Sequence, residues 1–323
     1  MTQVSAATKK ILAVSMLKGI GPAALRKISA FSGFESESIS GLAGVFSQLD
    51  RALANSSDWD EAVERAEEQI EASLKFQFRI ISSLDFDYPV LLKKTKDDPF
   101  IIFVKGRLHS LPEKSVAVIG TREPTRHGGM IATRVSRYLV EQGWSVVSGL
   151  ALGCDAVAHR TAIKEKGHTL AVLAHGLQTI APASHRELAD EILESGGALV
   201  SEYPFGTKPQ PQFFVKRDRT QAGLAQGVVM VQSDIKGGSL HASRAALDYG
   251  RWLAVPYPTE EDIENKEPKI QANLTMANGG SAEKLGLLRC SNFDLERLNI
   301  IRGKDDYDKL ISASVFESEG GLI

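Results

Sequence analysis

The chain is short of cysteine, of net charge and of long apolar runs, and each shortage excludes a class of protein. Its two cysteines, Cys154 and Cys290, stand far apart and neither has a partner at metal-ligand spacing. A disulfide framework is excluded, and reduced thiols in a cytoplasmic protein are expected. No apolar run approaches the ~18 residues that span a bilayer, so no membrane partner is expected. Lys9 and Lys10 precede the apolar run ILAVSML, but Lys18 closes it after seven residues, too soon for an export signal. Lys and Arg total 38 against 40 Asp and Glu, a net charge of −2, so any basic site has to be local. Internal repeats and low-complexity segments are absent. Missing too is the G-x-G-x-x-G of dinucleotide sites: in SVAVIGTREP, residues 115–124, an apolar strand runs into Gly120, Thr121 and Arg122 instead.

What is present suits one large and one small domain. With 323 residues, 43% of them hydrophobic, the chain can fill a sizeable core. Apolar positions recur at three and four through residues 1–80, and SSDWDEAVERAEEQIEASLKF opens with a Ser/Asp cluster before a charged amphipathic run. This predicts a small helical domain. Within it LKGIGPAALRKI, with Pro22 placed to start a helix, reads as helix, tight glycine turn, helix. Such a hairpin is either a compact turn or a backbone contact for a DNA phosphate.

Residues 81–110 alternate short apolar stretches with Asp and Pro and read as a connector. A larger domain spans 111–290, where strand candidates Val116–Ile119, Ser145–Ser148, Thr169–Ala174, Ala198–Ser201, Val228–Gln232 and Trp252–Val255 alternate with helices. The helices begin near Gly128, Asp155, Ser184, Phe213 and Ser239. Continuous apolar strands with crossover helices predict a doubly wound, extended Rossmann-like α/β domain with a mostly parallel sheet. Residues 291–323, ending ESEGGLI, read as a docked or loose tail.

Ligands of such sheets collect at the carboxyl ends of the strands. The loops there offer glycine backbone, hydroxyls and cations, with few acids. Arg122, beside Gly120 and Thr121, has the makings of a phosphate clamp, or else of a surface arginine paired with Glu123. QFFVKRDR places Phe213 and Phe214 beside Lys216, Arg217 and Arg219; aromatic faces stack on bases while cations meet phosphates, although both rings would also serve in a core. In KGGSLHAS, Ser239 reads equally as a helix cap and as a phosphate ligand. Asp155 and His159, four apart, could form an acid/base pair, but a helix-terminal acid and a packing histidine fit better. Cys154 with His159 lacks a third member, and no catalytic or metal-binding set emerges.

In order and spacing, SVAVIGTREP, VVSGLALGCDAVAHRTAIKEKGHTLAVLAHGL, GGALVSEYPFG, FFVKRDRTQAGLAQGVVMVQSD, GGSLHASRAALDYGR and LAVPYP resemble the DNA-processing protein A family, also called DprA or Smf. The resemblance runs over about residues 10–285 and takes in DFDYPVLLKKTKDDPFIIFVKGRL and the hairpin near Gly19. It implies a cytoplasmic single-stranded DNA-binding protein, often a homodimer, which in transformable bacteria hands DNA to a RecA-type recombinase. It implies no enzymatic activity and no cofactor. The DNA-binding residues it points to are Gly120, Thr121, Arg122, Phe214, Lys216, Arg217 and Ser239.

The departures set this chain apart as a divergent member. Many relatives read RNRIIAGLS where this chain has RDRTQAGLA, so Asp218 puts a negative charge into the basic segment, and many read SGSLITA where it has GGSLHAS. The resemblance also leads one to expect a C-terminal winged-helix module, for which nothing after Leu287 reads as a counterpart. Divergence opens other roles: phage defence, or antitoxin-like regulation of a neighbouring effector protein. An alternative from the wider superfamily is a nucleotide-binding sensor or phosphoribohydrolase-like protein, but KGGSLHASRA lacks the Glu of the PGGxGTxxE loop.

Overall fold

The computed structural model describes residues 4–55, 57–109 and 114–312. The expected domain start at residue 111 and the terminal ESEGGLI lie outside the described residues. Five helices come first: α1 (Ala6–Met16), α2 (Pro22–Ser29), α3 (Ile39–Val45), α4 (Ser47–Ala52) and α5 (Asp58–Phe76). Ser5 caps α1 by accepting the Thr8 N–H at 3.1 Å. Gly19, at φ +83°, makes the turn that leads to Pro22 at the head of α2. Ser57 does not cap α5; Asp58 instead accepts the Asn55 N–H at 2.7 Å and folds the preceding loop onto the helix.

Among the described residues nine strands form one sheet: β1 (Arg79–Ser82), β2 (Ile101–Gly106), β3 (Ser115–Ile119), β4 (Ser145–Ser148), β5 (Thr169–Leu173), β6 (Ala198–Ser201), β7 (Gly227–Met230), β8 (Trp252–Pro256) and β9 (Leu298–Ile301). Their order is β1-β2-β6-β5-β4-β3-β7-β8-β9. The pairs β1–β2 and β2–β6 are antiparallel and the others parallel. The fold is therefore mixed α/β with a large, mostly parallel sheet. The segment expected to be a connector contributes β1, the short α6 (Val90–Lys93) and β2, which extend the sheet by two strands. The described part of the tail is docked, with β9 pairing with β8 from Leu253↔Leu298 to Pro256↔Ile301.

Between the parallel strands run α7 (Arg126–Glu141), α8 (Cys154–Lys164), α9 (Arg186–Glu194), α10 (Pro211–Gly223) and α11 (Ser239–Asp248). After β8 come α12 (Glu260–Glu264), α13 (Gln271–Asn278), α14 (Ser281–Leu288) and α15 (Asn292–Leu295); α16 (Asp308–Ser312) follows β9. Side chains of β3 alternate between faces, as the pleat requires. Val116 and Val118 pack with Ala132, Val135 and Ala158 of α7 and α8, whereas Ala117 and Ile119 pack with Ala222, Leu240 and Ala246 of α10 and α11. The N-terminal helices share an apolar cluster with the sheet, in which Ile11, Leu12 and Leu42 join Ile80, Phe103 and Leu199.

The parallel part begins in the middle of the sheet at β3, proceeds outward through β4, β5 and β6, then returns to the other side of β3 with β7 and β8. Adjacent connections diverge at that reversal and leave a crevice beyond the carboxyl ends of β3 and β7. Close packing around β7 depends on Gly227, paired with Val116 on one side and Trp252 on the other, where an added Cβ would lie 2.0 Å from the Trp252 ring. Gly227→Ala is expected to destabilise the fold by about 1–3 kcal/mol through overpacking. Urea unfolding checks this; an unchanged midpoint would mean that Trp252 can move aside freely.

Candidate nucleic-acid interface

The crevice is a cleft of about 710 Å³. Gly120, Thr121, Arg122, Phe214, Arg217 and Ser239 all line it, although they come from three distant segments. Lys216 does not line it. Its half-exposed ammonium lies 3.9 Å from the Glu202 carboxylate and over the Tyr203 ring.

The loop after β3 is held at both peptide groups of Thr121. The Thr121 N–H donates to the Gln232 carbonyl at 2.8 Å, and the Thr121 carbonyl accepts the Cys154 N–H at 3.2 Å. Gly120 permits this approach, because a Cβ there would meet Cys154 Sγ at 2.6 Å. Gly153, at φ +75°, likewise leaves room for the Thr121 and Arg122 carbonyls. Arg122 is thereby presented outward: it is exposed, and its guanidinium lies 5.9 Å from the centroid of the Phe214 ring. No carboxylate lies within 4.0 Å of it among the described residues; Glu123, the alternative partner, is 3.8 Å from Lys269.

The aromatic pair of α10 is divided. Phe213 stacks on Tyr203 with centroids 4.3 Å apart, while Phe214 faces the cleft. Ser239 is the first residue of α11, and its hydroxyl is buried with no hydrogen-bond partner among the described residues. It does not act as the cap of that helix, whose N-terminus borders the cleft.

Arg217 is placed differently from an open phosphate ligand. It is 4% exposed, and its Nη1 donates to the Gly149 carbonyl at 2.5 Å and the Val172 carbonyl at 2.6 Å. Nε donates to Asp218 Oδ1 at 3.1 Å. The guanidinium forms the floor of the cleft. Arg219 faces away, ion-paired with Glu202 at 2.6 Å.

The lining also contains Glu123, Asp155, Asp218 and Asp234, so four acids stand against three permanent cations, Arg122, Arg217 and Lys269; burial and the nearby Arg244 and Arg289 lower the pKa of His241 and leave it uncharged near neutral pH. Read one by one, the strand-end loops show few acids; the tertiary fold brings these four into one lining. Asp155 is 5% exposed and accepts the Gly149 and Ala151 N–H groups at 3.1 and 3.3 Å. Burial raises its pKa, against the pull of Arg217 and these amides. His159 bonds Thr169 Oγ1 at 2.7 Å through Nδ1, and burial pushes its pKa down to about 3. Both side chains are thus spent on structure. Burial likewise pushes the Cys154 thiol up to about 12, which leaves it protonated. Among the described residues, no group of three or more His, Cys, Asp and Glu could hold a metal ion.

Residues 79–283 match the family model described as DNA recombination-mediator protein A. The chain belongs to this family. Protein Smf of Escherichia coli (strain K12) is 41% identical over 172 residues, which are 53% of this chain and 46% of that protein. DNA processing protein DprA of Bacillus subtilis (strain 168) is 40% identical over 171 residues, 52% of this chain and 57% of its own. The matched region thus spans about half the length of these curated relatives. DNA processing protein A from Streptococcus pneumoniae shares the fold, with a TM-score of 0.63, 24% identity, and coverage of 86% of this chain and 99% of that one. DNA processing protein A from Helicobacter pylori, whose single-stranded DNA binding mode is the subject of its structure, has a TM-score of 0.59 at 24% identity and covers 73% of this chain.

Within this DprA/Smf frame the lining residues without a sequence signal are Gln221, Asp234, His241 and Lys269. Lys269 comes from a short turn, Pro268–Ile270, and carries no motif that would place it beside Asp234, 3.4 Å away. Asp218 has the sharpest consequence. Burial pushes its pKa up to about 6; Arg217 opposes this and Asp155 adds to it. The folded pKa lies above the ~3.9 of an unfolded aspartate, so the native state binds the extra proton between these values and stability falls as pH rises through that window. Asp218→Asn keeps an acceptor for Arg217 and removes the charge. Its stability advantage over the parent is expected to grow from about pH 4.5 to pH 7, measured by denaturant unfolding. An advantage that does not change with pH would place the Asp218 carboxyl in the ordinary range.

Proposed function

We propose that the cleft binds single-stranded DNA, with Arg122 as its principal phosphate ligand. The observation that carries this reading is an exposed guanidinium with no carboxylate within 4.0 Å among the described residues, seated over the Phe214 ring beside two glycine-bearing turns. Cation and ring together meet a phosphate and an adjoining base. Gly120 lets a backbone approach, and the Thr121 and Ser239 hydroxyls are placed to donate. Lys216 acts from outside the cleft as a rim contact, and Arg217 acts through the floor it builds. The sheet order suits an extended Rossmann-like, doubly wound domain with its ligand at the strand-order reversal.

On this reading the protein handles DNA strands in the cytoplasm, as a homodimer, without chemistry of its own. Its partner is a RecA-type recombinase or, in a divergent role in phage defence or toxin regulation, a neighbouring effector protein. The similarity to a Helicobacter pylori protein studied for single-stranded DNA binding supports the ligand class. Asp218 marks the chain as divergent, since its carboxylate faces the same cleft as the bound phosphates. A nucleotide-sized ligand is the second reading, favoured by a cleft volume of about 710 Å³.

Fluorescence anisotropy of a labelled single strand, titrated at several salt concentrations, tests the proposal. Arg122→Ala should weaken binding by about 1–3 kcal/mol, as for one lost charge-assisted contact, and lower the salt slope by about 0.7. Lys216→Ala should lower that slope by less. Unchanged affinity in folded Arg122→Ala would remove the cleft from the DNA path; competition by a mononucleotide, with no strand binding at low salt, would favour the second reading.

A further inference from the structure

A second cavity, of about 540 Å³, lies between α7, the segment after β8 and the turn after β9. It shares no lining residue with the cleft. Its wall carries Arg134, Arg137, Arg302 and Lys304 against one acid, Glu141. Arg137 is held by Glu165 at 2.8 Å, but Arg134, Arg302 and Lys304 have no carboxylate within 4.0 Å among the described residues. The neighbouring acids are already engaged. Asp306 accepts the Arg302 backbone N–H at 2.7 Å and Lys309 Nζ at 2.6 Å, and Asp308 accepts the Tyr138 hydroxyl at 2.7 Å.

One of these cations is also held in place. The Arg302 guanidinium lies 4.4 Å from the centroid of the Tyr257 ring, and the Tyr257 N–H donates to the Ile301 carbonyl at 2.8 Å, so ring and strand end move together. Three cations without an ion pair, set against one acid around one cavity, repel each other, and an anion among them relieves that repulsion. Two are arginines, whose planar forks suit phosphate oxygens better than a halide or a lone carboxylate. Arg302 and Lys304 follow residue 283, where the family match ends, so one wall of this cavity is built by chain outside the matched region.

We propose that this cavity is a second anion site, separate from the cleft, which takes phosphate groups. They come either from a small phosphorylated ligand or from the backbone of a nucleic acid, and the two sources can be told apart. Calorimetric titration of the full chain with inorganic pyrophosphate should give binding that survives Arg122→Ala and weakens by about tenfold or more in Arg134→Ala/Arg302→Ala. Both replaced side chains lie at the surface, and circular dichroism with a thermal melt checks that the double variant is folded. A labelled oligothymidylate then separates the sources: affinity lowered by the double variant assigns the site to a nucleic-acid backbone, and affinity unchanged assigns it to a small phosphorylated ligand. The proposal is overturned if pyrophosphate does not bind the parent chain, or binds the folded double variant equally well. Failure of the cleft reading would appear separately, as strand binding indifferent to Arg122→Ala.

Discussion

The buried guanidinium of Arg217 is the constraint on which the cleft depends. A charge that deep is costly unless it is paired and its donors are used, and here the carbonyls of Gly149 and Val172 and the carboxylate of Asp218 take them up. Those carbonyls stand at the ends of β4 and β5, so one side chain from α10 ties two strand ends together. Gly149 has no freedom to be anything larger, since a Cβ there would lie 2.1 Å from Arg217 Nη1. Asp155 holds the same loop from its amide side by accepting the Gly149 and Ala151 N–H groups. The floor is rigid because donors and acceptors of one short loop are both satisfied from below.

On that floor the cleft is not basic: four acids line it against three permanent cations. Arg122 and Lys269 face Glu123, Asp218 and Asp234, and net attraction for an anion depends on which acids are occupied. Lys269 lies near both Glu123 and Asp234, whereas Arg122 lies near neither. Arg122, which makes no ion pair within 4.0 Å among the described residues and feels Asp218 only at longer range, thus carries more weight than a count of charges suggests. Asp218 differs from the other acids because burial pushes its pKa up to about 6, so its charge is costly to keep near neutral pH. An anion above it would favour the protonated form, which couples ligand and proton in the same direction.

Cleft and second cavity face opposite electrostatic problems. In the cleft, acids buried by the fold limit an exposed arginine. In the second cavity, Asp306 and Asp308 are spent on other hydrogen bonds, which leaves Arg134, Arg302 and Lys304 without a carboxylate within 4.0 Å among the described residues. Both arrangements arise from which partner each carboxylate finds locally, and neither follows from the chain's net charge of −2.

The sequence by itself determined the alternation of strands and helices from Ser115 to Pro256, because parallel strands buried on both faces must be continuously apolar. Strand limits such as Ser145–Ser148 and Ala198–Ser201 are therefore readable from the residues alone. The loops at the strand ends were equally legible, and with them the placing of Gly120, Thr121, Arg122, Phe214, Arg217 and Ser239 around one cleft. Only the tertiary structure decided the pairing at the edges. Residues 79–106 and 298–301 form short strands whose role depends on the edge they meet, and β9 is only partly buried. Nor could the run KRDR tell its cations apart. Lys216, Arg217 and Arg219 are alike in sequence, but one turn of helix sends the first over the Tyr203 ring, the second into the floor of the cleft and the third to Glu202. Burial distinguishes them, and burial is a property of what the rest of the chain places over each residue.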